Sequence, residues 1–121
     1  MLINFTNHPS KNWSKEQISA GMKYGNIHDL PFPTVDPGQD ENYICELAQV
    51  YTDEIITLKP RAVLCQGEFS LAFAVVKKLK EQGIIVLSAT SQRVAVEEKN
   101  KDGTVNKTAY FKFVNFRKYG G

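Results

Sequence analysis

Two short apolar runs constrain this chain more than any other feature. Ala62-Val63-Leu64-Cys65 and Ile84-Ile85-Val86-Leu87-Ser88-Ala89 flank a helical stretch, Phe69 to Gln82, that Gly83 stops. Runs without polar alternation are what strands need when a sheet is covered on both faces. A helix between two of them is a crossover to a parallel neighbour. That helix is apolar almost all round in its first two turns. Lys77, Lys78 and Lys80 follow toward its end, where cations suit the negative pole of the helix dipole.

The residues upstream repeat the same grammar. Leu2 to Phe5 reads as a first strand, followed by the polar loop Thr6-Asn7-His8-Pro9-Ser10. Ser14 with Gln17 three residues on forms a capping box, and Trp13 can pack on Ile18 as a staple. A first helix over 14–24 is predicted, with Gly25 as its left-handed stop. Asn26 to Leu30 is a second strand ended by Pro31 and Pro33, and the prolines make 31–38 a stiff loop. Asp36 is expected to stabilise that loop. Asp40 caps a second helix in which Ile44, Leu47, Ala48, Tyr51, Ile55 and Leu58 recur at helical spacing, and Pro60 ends it.

After Ala89 the pattern changes. Arg93 to Lys99 alternates loosely, Asp102-Gly103 is a turn pair, and Thr108 to Phe116 is rich in aromatics, so a β-hairpin is predicted. The fold class is therefore α/β: three layers around a mostly parallel sheet of order 2-1-3-4, with a C-terminal antiparallel hairpin beside strand four. The first helix lies on one face, and the second and third lie on the other. One helix cannot cover a sheet of five or six strands. A homodimer is expected to cover the thin face, with Tyr110, Phe111, Phe113 and Phe116 contributing. The alternative is a hairpin that curls over its own sheet.

Composition narrows the class. At 121 residues the chain suits a single domain spanning 1–121, and 42% hydrophobic with 23% charged residues excludes a disordered polymer. The longest apolar run, Gly83 to Ala89, is far short of the roughly 20 residues that span a bilayer. A net charge of +2 is too small for a duplex-DNA surface. Met1 to Phe5 lacks a basic leader and a long apolar stretch, so a cytoplasmic location is expected. Cys45 and Cys65 sit in apolar surroundings and read as buried, reduced thiols.

Open parallel sheets bind ligands beyond the carboxyl ends of their strands, where the strand order reverses. Here that point lies between strands one and three. Three polar loops, each directly after an apolar strand, converge on it: Thr6, Asn7, His8 and Ser10; Gln66, Gly67, Glu68, Phe69 and Ser70; and Thr90, Ser91, Gln92 and Arg93. Hydroxyls, amides, a close-approach glycine and an arginine are what a phosphate or ribose requires. Glu68 repels an anion, so it reads either as a first-turn residue favouring the helix dipole or as a hydrogen-bond acceptor for a ribose hydroxyl or adenine amino group. His8 is the candidate general acid or base. Two histidines and two cysteines without close pairing make no metal site, and no cofactor is expected. Glycine-rich phosphate loops, dinucleotide fingerprints and the nucleophile elbow are absent.

A short parallel sheet with a terminal hairpin, a polar loop after strand one and a polar helix start after a later strand resembles the CRISPR-associated Rossmann-fold (CARF) domain, whose small stand-alone relatives include ring nucleases. The resemblance covers most of the chain and implies a Rossmann-like homodimer that binds a cyclic oligoadenylate across its two-fold axis. It implies that the three segments named above form the ligand walls. Cleavage, if it occurs, need not require a metal: a ribose 2′-hydroxyl held in line attacks its neighbouring phosphate to give a cyclic phosphate, with His8 as base or acid and Arg93 stabilising the phosphorane. Arg93 and Lys11 are the only nearby cations. The competing expectation is a non-enzymatic, flavodoxin-like module that binds a mononucleotide or a protein partner, because His8 has no obvious carboxylate to orient it.

Overall fold

A computed structural model describes all residues, 1–121. Its elements are β1 (Leu2–Phe5), a 3-10 turn at Ser10–Asn12, α1 (Lys15–Met22), β2 (Ile27–Asp29), α2 (Glu41–Thr57), β3 (Ala62–Cys65), α3 (Phe69–Glu81), β4 (Ile85–Lys99) and β5 (Val105–Lys118). The strands form one five-stranded mixed sheet of order β2-β1-β3-β4-β5. Pairs β1–β2, β1–β3 and β3–β4 are parallel, and β4–β5 is antiparallel.

The helix starts follow their caps. The Ser14 hydroxyl accepts the Gln17 amide at 3.2 Å, and the Asp40 carboxylate accepts the Tyr43 amide at 3.2 Å. Asp36 accepts the Gly38 amide at 2.9 Å and so fixes the turn before α2. α1 ends two residues earlier than its sequence pattern suggests. Tyr24 and Gly25 donate to Gly21 and Met22 in tighter turns, and Gly25 takes the left-handed φ of 114°.

Strand alternation divides the sheet between two cores. Ile3, Phe5, Val63, Cys65 and Val86 face α2 and α3, where Ala48, Ile55, Leu71, Val75 and Leu79 close the larger core. A fully buried leucine such as Leu71 or Leu79 contributes about 2 kcal/mol over an exposed one. Leu2, Ala62, Leu64 and Leu87 face the other way, toward Trp13, Ile27 and Phe116.

Two expectations are corrected. Strand four and the first hairpin arm are one continuous strand, β4, so residues 90–93 form no loop. Ladder pairing with β5 runs from Leu87↔Lys118 to Lys99↔Val105, and a partner strand of that length overrides the turn-like composition of Thr90-Ser91-Gln92. The sheet consequently has five strands. Second, Cys45 is exposed, while Cys65 is buried. Cys45 follows Ile44 by one residue, which rotates it off the stripe that α2 buries.

The hairpin itself supplies part of the cover on the thin face, where Phe116 packs against the smaller core. Thr90 pairs with Asn115 and Ser91 with Phe113, leaving Val114 as an extra residue on β5. Such a bulge bends and twists the ribbon. Near the bend, the Phe116 ring lies 6.1 Å from Trp13 and 5.0 Å from Phe113, centroid to centroid. Beyond it, β4 and β5 continue as a two-stranded ribbon with Tyr110, Phe111 and Val105 exposed. No helix of the structure is long and apolar enough to cross a membrane.

Candidate functional site

The end of β1 is held by a polar network that starts from one buried amide. Asn4 is 1% exposed, and its Nδ2 donates to the His8 carbonyl and to Asp29 Oδ1, each at 2.9 Å. Its Oδ1 accepts the Thr6 hydroxyl at 2.7 Å, and Thr6 Oγ1 in turn accepts the His8 amide at 3.1 Å. Trp13 Nε1 also donates to the His8 carbonyl, at 3.0 Å. The loop after β1 is therefore fixed through its backbone, and the exposed His8 imidazole is left free of this network. Ser10 belongs to the network too: its amide and hydroxyl donate to Asp29 at 3.2 and 3.0 Å.

Gln66 does the equivalent work after β3. Its Oε1 accepts the Ala89 amide at 2.7 Å, which ties the end of β3 to β4. His8 and Gln66 are shared walls of two adjoining cavities. One, of about 210 Å³, is completed by Thr6, Gln17, Leu64, Ala89, Thr90, Ser91, Phe111 and Phe113. The other, of about 330 Å³, is completed by Asn7, Gly67, Phe69, Ala72 and Tyr119. The carboxyl ends of β1, β3 and the inner half of β4 thus meet, bringing Thr6, Asn7, His8, Gln66, Gly67, Phe69, Thr90 and Ser91 into one cleft.

Five of the expected residues have other positions or other work. Glu68 is the N-cap of α3. Its carboxylate accepts the Ser70 hydroxyl at 2.6 and 2.7 Å, the Leu71 amide at 2.8 Å and the Ser70 amide at 3.0 Å. Those bonds, the Ser70 hydroxyl first, hold its pKa below the ordinary 4.5. The helix start thus already holds a carboxylate, and the Ser70 hydroxyl is turned to it. Glu68 and Ser70 instead line a separate hollow with Asp36, Asp40 and Glu41. Ser10 is committed to Asp29 at the β2 edge. Gln92 stands on the opposite face of β4 from Ser91, since successive strand residues alternate. Arg93 shares the Ser91 face but lies one step further out, opposite Phe111.

Gly67 also has a different reason for being glycine. A Cβ there would come within 2.5 Å of the Phe32 ring, so the close approach is to a core aromatic and not to a ligand. Thr90 is engaged as well, its hydroxyl donating to the Asn115 carbonyl at 3.0 Å and to Asn115 Oδ1 at 2.6 Å.

Tyr119 is a site residue that no motif announced. Its hydroxyl donates to the Cys65 carbonyl at 2.7 Å, and its carbonyl accepts Lys80 Nζ at 2.6 Å. Burial, with Cys65 beside it, raises its pKa above the ordinary 10.0. Asn4 and Asp29 were likewise not singled out as site residues. The signal for Asn4 was a lone amide inside an otherwise apolar strand.

Neither cavity has a lysine or arginine in its wall. The polar groups left without a partner in the protein are the His8 ring, the Asn7 and Gln17 amides, the Gln66 NH2 and the Ser91 hydroxyl. The same walls carry Phe111, Phe113 and the 91% exposed Phe69. Amide edges opposite aromatic faces suit a flat heteroaromatic ring better than a bare phosphate.

The chain belongs to the uncharacterized protein MJ1673 family. The family model matches residues 1–117, which takes in every element from β1 to nearly the end of β5. No curated protein matches the chain in sequence. No three His, Cys, Asp or Glu side chains are grouped so as to hold a metal ion.

Proposed function

We propose that this MJ1673-family protein is a Rossmann-like nucleotide-binding domain whose ligand is a cyclic oligoadenylate, held at a homodimer interface as in the CARF domains that its layout resembles. One observation carries the reading: His8 and Gln66 wall two adjoining cavities at the carboxyl ends of β1 and β3 and the inner half of β4, whose walls combine free amides with aromatic rings. Adenine would be read by its edge and face. The ribose–phosphate would be met from outside the cavities by Arg93, in each of two subunits. Where the ring is cut, His8 is the group at the cleft placed to take the proton of a ribose 2′-hydroxyl as that oxygen attacks the adjoining phosphorus and the 5′-oxygen leaves, giving a cyclic phosphate.

Titration of cyclic tetra- and hexa-adenylate in chelator, followed by calorimetry and chromatography, tests this. Saturable binding of one ring, lost in Gln66→Leu, is the expected result. Cleavage that disappears in His8→Ala while binding persists would assign the proton transfer. A mononucleotide that binds while neither ring does would favour a non-enzymatic, flavodoxin-like module. The cation-free walls and the absence of a carboxylate bonded to His8 speak for that second reading.

A further inference from the structure

The ribbon formed by the outer halves of β4 and β5 differs in charge from the rest of the molecule. Residues 91–113, the outer ribbon, contain five Lys or Arg and three Asp or Glu, a net of +2. The whole chain carries +2, so the remaining residues are neutral overall. Ladder register then sorts the side chains by face, because directly opposed residues point the same way. Ser91 with Phe113, Arg93 with Phe111, Ala95 with Ala109, and Glu97 with Lys107 lie in successive rows on one face.

That face reads outward as a track. Phe113 belongs to the cleft wall, and Phe111 follows, 73% exposed, with Arg93 across from it. The two alanines leave a low floor beyond. Lys107 stands 3.7 Å from Glu97 and offsets the one carboxylate on these rows. Aromatic faces beside a cation on a backbone-wide strip are what successive stacked bases and their phosphates require. The 210 Å³ cavity at the inner end is smaller than the roughly 300–1,000 Å³ of sites that enclose a whole small ligand. A ligand entering it must continue outside, and this face is where it would emerge.

We infer that the outer β4–β5 ribbon is a binding track for a single-stranded polynucleotide, with Phe111 stacking a base and Arg93 meeting the adjoining phosphate. The track adds a second ligand to the cleft reading and is testable apart from it. The measurement is fluorescence anisotropy of the intact protein with a labelled single-stranded DNA of about 12 nucleotides, a length within the usual site size per small domain. It is made at about 50 and 200 mM salt. Phe111→Ala is expected to weaken binding about tenfold, as loss of one stacked base does. Arg93→Gln is expected to reduce the slope of log affinity against log salt by about 0.7. Val50→Ala, a change at another exposed apolar position, on α2, should alter neither.

Phe111 is exposed, so its variant retains the fold, and circular dichroism verifies this. Wild-type protein without salt-dependent binding would overturn the inference, as would Phe111→Ala at wild-type affinity. Equal affinity for a duplex of the same sequence would also overturn it, since a duplex offers no free base to stack. Binding to phosphatidylglycerol vesicles in place of the strand would do the same. A strand that binds where the cyclic adenylates do not leaves the track standing and removes the cleft reading; the reverse result removes the track alone.

Discussion

The Glu68 carboxylate accepts the backbone N–H of Leu71 at 2.8 Å and so closes the first turn of α3 with the protein's own anion. A helix N-terminus presents unsatisfied N–H groups and a partial positive charge, and either a ligand or a side chain can meet them. Here the side chain does. Glu68→Ala should therefore destabilise the fold by about 1 kcal/mol, the usual effect of losing an N-cap, measured by urea denaturation at pH 7. The pH dependence has a definite sign. The bonds lower the carboxyl pKa in the folded state, so their contribution is present above the unfolded value of 4.5 and lost as pH falls through the folded one. The gap between wild type and variant should hold at pH 6 to 8 and close in acid. A gap that widens in acid would refute the assignment.

Gly67 and Phe32 form the second coupled pair. The Phe32 ring is 4% exposed and lies 4.8 Å from the Phe5 ring, so it has little room to withdraw. Gly67→Ala should destabilise by about 2 kcal/mol through overpacking. Phe32→Leu opens space at the same point, and the double variant should be more stable than the sum of the single losses predicts. Additive losses in a thermal-melt double-mutant cycle would mean that the contact is not what excludes a side chain.

These two positions show where the sequence was legible and where it was not. Periodicity, caps and breakers are local signals, and they located α2, α3, β1 and β3 nearly to the residue. The division of the sheet between two faces followed from the same signals, because right-handed crossovers leave few choices. Thr90 to Arg93 misled because strand formation there is set by a partner some 20 residues away in sequence, which no local composition encodes. Gly67 and Glu68 were open to two readings for another reason. A glycine near a helix start and a carboxylate in its first turn have the same sequence signature whether their partner is a ligand or the protein. Asn4 and Tyr119 act through contacts that form only once the chain has closed on itself.

Asn4 is the position through which fold and cleft are most directly joined. Asn4→Ala removes the donor to the His8 carbonyl and to Asp29 and the acceptor for the Thr6 hydroxyl. Buried groups left without partners cost about 1–3 kcal/mol, so the variant should lose that much stability. Ser10→Ala removes one exposed bond to Asp29 and should lose well under half as much. The His8 loop should also exchange its amide hydrogens faster in Asn4→Ala than in Ser10→Ala, by hydrogen-exchange mass spectrometry. Equal exchange in the two variants would show that the network does not hold the loop.

The cysteines give a chemical test of the layering. Cys65 lies at the end of β3 under α3, where burial pushes its thiol pKa up to about 12. At pH 8 its thiolate is scarce, and alkylating reagents attack the thiolate. Cys45 is exposed on α2, one residue off the buried stripe. Iodoacetamide should therefore modify the native protein once, at Cys45, and modify Cys65 only after denaturant is added. Peptide mass mapping distinguishes the two sites. Modification of Cys65 at the rate of Cys45 in native conditions would mean that α3 does not seal β3, and the cleft that depends on their packing would lose its floor.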